Sequence, residues 1–191
     1  MNESVAVVIL AGGQSKRMNK KNKAMVLLKD KPLIQHVIDA MKLQTPHVFI
    51  STHHNQDDFR IFNLPLIDDD AESHEGPLLG MMSSLKKIKT EWIQFVPCDT
   101  PHLPQDLIET LKKVADKNHT KIAVPETSDG LQSACILCHI SSLENLNTFF
   151  NAGGRKIEDW IRQLPFSIVP FENQACFLNI NTEEELKKNS L

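Results

Sequence analysis

The run Val5-Ala6-Val7-Val8-Ile9-Leu10 is apolar at every position and breaks straight into Gly12-Gly13. A strand with one wet face alternates polar and apolar residues, whereas a strand buried on both faces does not. A continuous, β-branched run of this length therefore marks a parallel strand inside a sheet covered on both sides. The chain goes on to alternate strand and helix patterns. His47–Ser51, Leu64–Ile67, Trp92–Val96 and Ile122–Val124 read as further strands. A helix opens at Pro32, with Leu33, Val37, Ile38 and Met41 on one face. Another opens at Gly76-Pro77, with Leu78, Leu79, Met82 and Leu85 inward, and a third at Pro104, through Leu107, Leu111 and Val114. Proline suits the first turn of a helix because its missing N–H would have no partner there.

The final third is less regular. Gln132–Ile140 reads as a long strand, Ser142–Phe150 and Lys156–Leu164 as helices, and Phe166–Phe171 and Cys176–Ile180 as two more strands. Thr182 caps a last helix, with Glu185 placed to complete a capping box. Repeated β–α units predict an α/β fold, a doubly wound and mostly parallel sheet with right-handed crossovers. With no repeat, low-complexity tract or linker, residues 1–191 read as one domain. Ligands of such sheets bind at the carboxyl ends of the strands, which directs attention to the loops after Leu10, Ile67, Val96 and Ile180.

Charge and cysteine usage narrow the function classes. The 21 Lys and Arg against 24 Asp and Glu leave a net charge of −3, which argues against a protein that coats nucleic acid or an anionic membrane. The apolar run at residues 5–10 follows Glu3 rather than a basic segment and is far short of a membrane span, so the expectation is a cytoplasmic protein. Cys98, Cys135, Cys138 and Cys176 are scattered. Although Cys135 and Cys138 match C-x-x-C, they sit in the apolar run Ala134–Ile140 without a second metal-binding pair, so they read as buried thiols.

The loop after the first strand carries the chemistry. Adjacent glycines let backbone turn sharply and approach a ligand without Cβ obstruction. Lys16, Arg17, Lys20, Lys21 and Lys23 follow with no acid among them, a density that points to a polyanion. Neither the P-loop spacing nor the dinucleotide fingerprint is present. Instead, L-A-G-G-x-S-x-R-M followed by Lys23-Ala24 resembles the Rossmann-like nucleotidyltransferases, which join a nucleoside triphosphate to a phosphorylated acceptor. Asp99 ends the buried strand in Val96-Pro97-Cys98-Asp99-Thr100-Pro101, a position suited to a Mg²⁺ ligand.

Three segments narrow the resemblance. P-C-D-T-P-x-L-P, E-G-P-L-x-G-M at Glu75–Met81 and F-L-N-I-N-T at Phe177–Thr182 are together similar to the molybdenum cofactor guanylyltransferases. That family transfers GMP from GTP to molybdopterin carrying molybdenum and releases pyrophosphate. The resemblance implies that Leu10, Ala11, Gly12, Gly13, Lys23, Asp69 and Asp99 bind the nucleotide. It makes Arg17, Lys23 and Asp99 catalytic and Asp99 the Mg²⁺ ligand, and it sets Gly76, Pro77, Gly80, Asn179 and Asn181 on the acceptor. Asp69, in Asp68-Asp69-Asp70, is placed either to accept from the guanine N–H donors or to sit in a solvated acidic loop. Two departures stand out: Asn19-Lys20-Lys21-Asn22 replaces the family's glycines and aspartate, and His53 stands where the family carries Asn.

The implied partners are GTP, molybdopterin and proteins that deliver or receive the cofactor, with no nucleic acid or membrane. An ionised acceptor phosphate needs no general base, in keeping with the lack of a candidate catalytic His, Ser or Cys. Arg155 and Lys156, after Gly153-Gly154, read as a helix start, and His36, His74 and His119 lack metal spacing. Two alternatives stay open: a CTP-dependent cytidylyltransferase using the same acceptor, and a non-catalytic chaperone of the cofactor. Retention of Arg17, Lys23 and Asp99 together speaks against the chaperone.

Overall fold

Val5–Leu10 (β1) sends Val5, Val7 and Ile9 into one hydrophobic layer and Ala6 and Val8 into another, and Val5 through Ile9 are completely buried. This is the two-sided burial that a continuous apolar strand requires. The computed structural model describes residues 3–12, 22–53, 56–68, 76–182 and 185–186. After β1 come a short hairpin, Leu27–Leu28 (β2) and Lys31–Pro32 (β3), then helix Leu33–Lys42 (α1), Val48–Ser51 (β4), Gln56–Arg60 (α2) and Leu66–Ile67 (β5). Pro77–Lys87 (α3), Trp92–Pro97 (β6), Leu107–Asn118 (α4), Ile122–Thr127 (β7), Gly130–Leu131 (β8) and Leu137–His139 (β9) follow. Leu143–Asn151 (α5), Ile157–Ile161 (α6) and Ser167–Pro170 (β10) complete the regular elements among the described residues.

The main sheet runs β10-β7-β9-β6-β1-β4-β5, with β8 paired to β7. β4, β1 and β6 are parallel, as are β4 and β5 and also β7 and β10, while β9 runs antiparallel between β6 and β7. From β1 the chain steps outward to β4 and β5, then returns to β6 on the other side of β1. The switch point therefore lies between β1 and β6, where Leu10 is in register with Pro97.

Helices cover both faces. Ile34, Val37, Ile38 and Met41 of α1 share one layer with Leu107, Ile108, Leu111 and Ala115 of α4. Leu78, Met81 and Leu85 of α3, Leu146 and Phe149 of α5, and Trp160 of α6 fill the other. In α3 the buried stripe includes Met81, whereas Leu79 and Met82 are only half-buried. No helix among the described residues is long and apolar enough to cross a membrane.

Two expected strands are corrected. Within residues 132–140 only Leu137–His139 is strand, because Gln132 turns back to Pro125 O (2.8 Å) and Cys135 N closes a turn on Gln132 O (2.8 Å). Residues 176–180 join no sheet. Asn173 Oδ1 accepts from Ala175 N (3.2 Å), winding Gln174–Phe177 into a 3-10 turn, and an extended segment follows. Cys135 and Cys138 fall in opposite hydrophobic layers, so the C-x-x-C forms neither a redox pair nor half a metal site.

The β2–β3 hairpin was not apparent from sequence. Lys29 and Asp30 both take positive φ (49° and 60°), the two-residue turn that matches strand twist, and it is made here without glycine. Its Leu28 packs with Leu33 and Ile180 in a small third cluster, with Val26 and Leu186 against it. That cluster ties the beginning of the chain to its end. Burying each such side chain contributes about 1.5–3 kcal/mol.

Candidate active site

Three chain segments meet beside the carboxyl end of β6. The first is held by Asn22, whose Oδ1 accepts from Ala24 N (3.2 Å) and whose Nδ2 donates to Asp58 (3.1 Å), starting the 3-10 turn Lys23–Met25. The second is the turn after β6, where Cys98 N donates to Leu10 O (3.2 Å) and so fixes Asp99 beside the end of β1. The third is the extended run after Phe177, anchored by Ile180 N on Asp99 O (2.9 Å) and by the buried Ile180 side chain.

Lys23 Nζ donates to Asp99 Oδ2 and to Asn181 Oδ1, bridging all three segments. Asp99 is 8% exposed, so its charge is mostly withdrawn from water and needs a cationic partner. Thr100, fully buried, donates its hydroxyl to Asn179 Oδ1 (2.6 Å), and Asn181 Nδ2 donates to Asn179 O (3.3 Å). Glu185 accepts from Asn181 N (2.6 Å) and Thr182 N (3.1 Å), while its own N–H donates to Thr182 Oγ1 (3.1 Å). This is the expected capping box. The Asn181 N–H bond, with those of Thr182, holds the Glu185 carboxyl below its usual range against the opposing effect of desolvation.

Of the residues singled out from sequence, Lys23, Asp99, Asn179 and Asn181 are brought together, with Leu10, Ala11 and Gly12 at the neighbouring end of β1. Ala11 N donates to Ser51 O (2.8 Å), extending β1's pairing with β4 up to the glycine. Gly76 adopts φ +83° ahead of α3, Pro77 starts that helix, and Gly80 is buried within it, its carbonyl accepting from Ser84 (2.6 Å). Gly13, Arg17 and Asp69, like Lys16, Lys20, Lys21 and His74, lie outside the described residues. His53 Nδ1 lies 3.6 Å from Asp68 Oδ1, at the ends of β4 and β5.

Thr100 and Glu185 are the parts of the network that sequence reading missed as site residues. Their signals were adjacency to Asp99 and the capping-box spacing.

Other groups have structural work. His36 Nε2 bonds Leu28 O (2.9 Å), and His119 ends α4 in the left-handed region. Arg155 stacks on Phe150 (4.2 Å) and donates to the Phe150 and Gly154 carbonyls, closing α5. A Cβ at Gly154 would lie 2.3 Å from the Phe149 ring, so glycine is required there. Burial, and then the Asp99 carboxylate, pushes the Cys98 thiol up to about 12, and burial raises Cys135, Cys138 and Cys176 as well. Burial thus disfavours the reactive thiolate at all four.

A cavity of about 670 Å³ lies elsewhere, lined by Glu3, Leu43, Gln44, Gln105, Asp106, Ile108 and Glu109. Glu3 precedes β1 and Gln44 precedes β4, so it opens at the amino-terminal ends of the strands. Gln44 Oε1 there accepts from Ile108 N (2.9 Å) and fastens the start of α4. The buried carboxylate, the ammonium and the two amides converge at the other end.

A switch-point sheet with that set of groups at its carboxyl edge is the layout of a nucleotidyltransferase. The profile of the MobA-like NTP transferase domain matches residues 7–168. A molybdenum cofactor guanylyltransferase of Vibrio campbellii is 39% identical over 180 residues, 94% of this chain and 91% of that protein. Its namesake in Cupriavidus metallidurans is 33% identical over 189 residues, 96% and 93% of the two chains. In fold, the chain is similar to the molybdopterin-guanine dinucleotide biosynthesis protein A of Archaeoglobus fulgidus, with a TM-score of 0.79 at 21% identity, covering 97% of this chain and 96% of that one. The chain belongs to the MobA-like NTP transferase family.

Proposed function

We propose that this chain, acting over residues 1–191 as one domain, transfers GMP from GTP to molybdenum-bearing molybdopterin and releases pyrophosphate. The names of its relatives support guanylyl rather than cytidylyl transfer. The observation that carries the chemistry is the Lys23–Asp99 pair, joined by Asn179 and Asn181 at the carboxyl edge of β6.

An oxygen of the acceptor phosphate attacks the α-phosphorus of GTP, and the bond to the β-phosphate oxygen breaks. Two anions must be held together, so catalysis consists mainly of positioning and charge neutralisation. Lys23 trades the Asp99 carboxylate for phosphate oxygens, and Arg17 neutralises the departing pyrophosphate as a planar, two-pronged donor. Leu10, Ala11, Gly12 and Gly13 wall the nucleotide, Asp69 accepts from the guanine N–H groups, and Asn179 and Asn181 meet the acceptor with Gly76, Pro77 and Gly80.

Nucleotidyltransferases generally use a divalent metal, and the donors here suit Mg²⁺. Asp99 is a hard carboxylate, and one carboxylate suffices when phosphates supply further oxygens. Among the described residues no group of three His, Cys, Asp or Glu forms a cage that would favour a softer metal. Asp99 would hold the Mg²⁺, which would supply positive charge to phosphate oxygens. A cytoplasmic location suits four free thiols and goes with this reading.

Pyrophosphate release with molybdenum-molybdopterin and each of GTP, CTP, ATP and UTP tests the proposal. Release with GTP alone is the expected result; preferential release with CTP would move the assignment to cytidylyl transfer.

A further inference from the structure

Thr100 is fully buried, yet its hydroxyl reaches a side chain 79 positions further on, Asn179 Oδ1 at 2.6 Å. Asn179 itself is exposed. An amide can accept through its oxygen or donate through its nitrogen, and a free asparagine offers either by turning about its last bond. With Oδ1 accepting from Thr100, the two Nδ2 hydrogens are what Asn179 has left to offer outside the protein. Asn181 differs, because its Oδ1 accepts from Lys23 and its Nδ2 donates to Asn179 O (3.3 Å). Asn181 is thus engaged through both ends of its amide, while Asn179 uses only its oxygen within the network.

We propose that Thr100 is a positioning residue that turns Asn179 into a dedicated donor toward the phosphate of the acceptor. The inference rests on the guanylyl-transfer reading for the identity of the acceptor. The Thr100–Asn179 bond itself stands apart from that reading. A phosphate at neutral pH only accepts, so an amide presenting its oxygen repels it, and one locked with N–H₂ outward attracts it. The position behind Asn179 suits this role: a buried hydroxyl holds one rotamer without competition from water.

The test is steady-state kinetics of Thr100→Val and Thr100→Ser with molybdenum-molybdopterin and GTP. Thr100→Val keeps the shape and removes the donor; it should raise KM for molybdopterin about tenfold, the weight of one hydrogen bond, and leave KM for GTP and the melting midpoint unchanged. Thr100→Ser should restore wild-type values. On an Asn179→Ala background, Thr100→Val should add no further loss. Equal increases in both KM values, failure of the serine to rescue, or an additive loss on that background would overturn the role. A second readout needs no turnover: the Asn179 side-chain N–H₂ resonances should move in Thr100→Val and return in Thr100→Ser. Unchanged resonances would overturn the proposal even if GMP transfer is established, whereas absence of transfer by the wild type with shifted resonances would strike only the functional reading.

Discussion

The two ends of the sheet spend polar groups differently. At the amino-terminal end, hydroxyls close on backbone or on one another: Thr45 donates to Val5 O (2.7 Å), and Thr120 bonds Ser167 (2.7 Å), which also accepts from Asn118 (3.0 Å). These bonds are neutral and complete within the protein. At the carboxyl-terminal end, Lys23 and Asp99 bring opposite charges together and two exposed asparagines rim them. A protein gains little stability from collecting charge in this way, since desolvation offsets much of the attraction. The difference separates groups that fasten strands and helices from the groups that the proposed function gathers around an outside ligand.

Substitutions at the two ends should therefore fail differently. Asp99→Asn keeps the size but removes the charge; it should cut guanylyl transfer by about 10³-fold while leaving the melting midpoint near wild type, as parallel kinetic and thermal measurements would show. Unchanged turnover would remove Asp99 from the mechanism. Lys23→Ala should weaken GTP binding about 10–100-fold in a calorimetric titration, the weight of a charge-assisted bond. Lys20→Ala and Lys21→Ala should do little, and equal losses for all three would mean a diffuse basic patch. At the amino end, Thr45→Val strips the donor from the buried Val5 carbonyl and should cost about 1–2 kcal/mol in denaturant unfolding without altering transfer. The smallest effect belongs to Lys112, which lies over the Trp92 ring at 4.9 Å. Lys112→Ala should lose about 0.5 kcal/mol of stability and no activity.

The strand and helix order was legible because buried parallel strands leave continuous apolar runs and amphipathic helices a 3.6-residue repeat. β1, β6 and α1 are examples. Asp99 was legible because it ends such a strand. The apolar character of residues 176–180 misled: Ile180 does point into apolar packing, but its N–H serves the loop after β6 instead of a ladder. The β2–β3 hairpin was hidden because its turn uses Lys29 and Asp30 rather than glycine. The Thr100–Asn179 bond joins residues 79 apart, and no local pattern records such a pairing.

Calorimetric titration of GTP, with Mg²⁺ and with the metal chelated, into the wild type and Asp99→Asn tests most directly whether the charge at the carboxyl edge serves a metal-bound nucleotide. The account predicts saturable GTP binding by the wild type that Mg²⁺ strengthens about tenfold or more, and an Asp99→Asn variant that no longer responds to Mg²⁺. Equal binding by both proteins, with and without the metal, would contradict it.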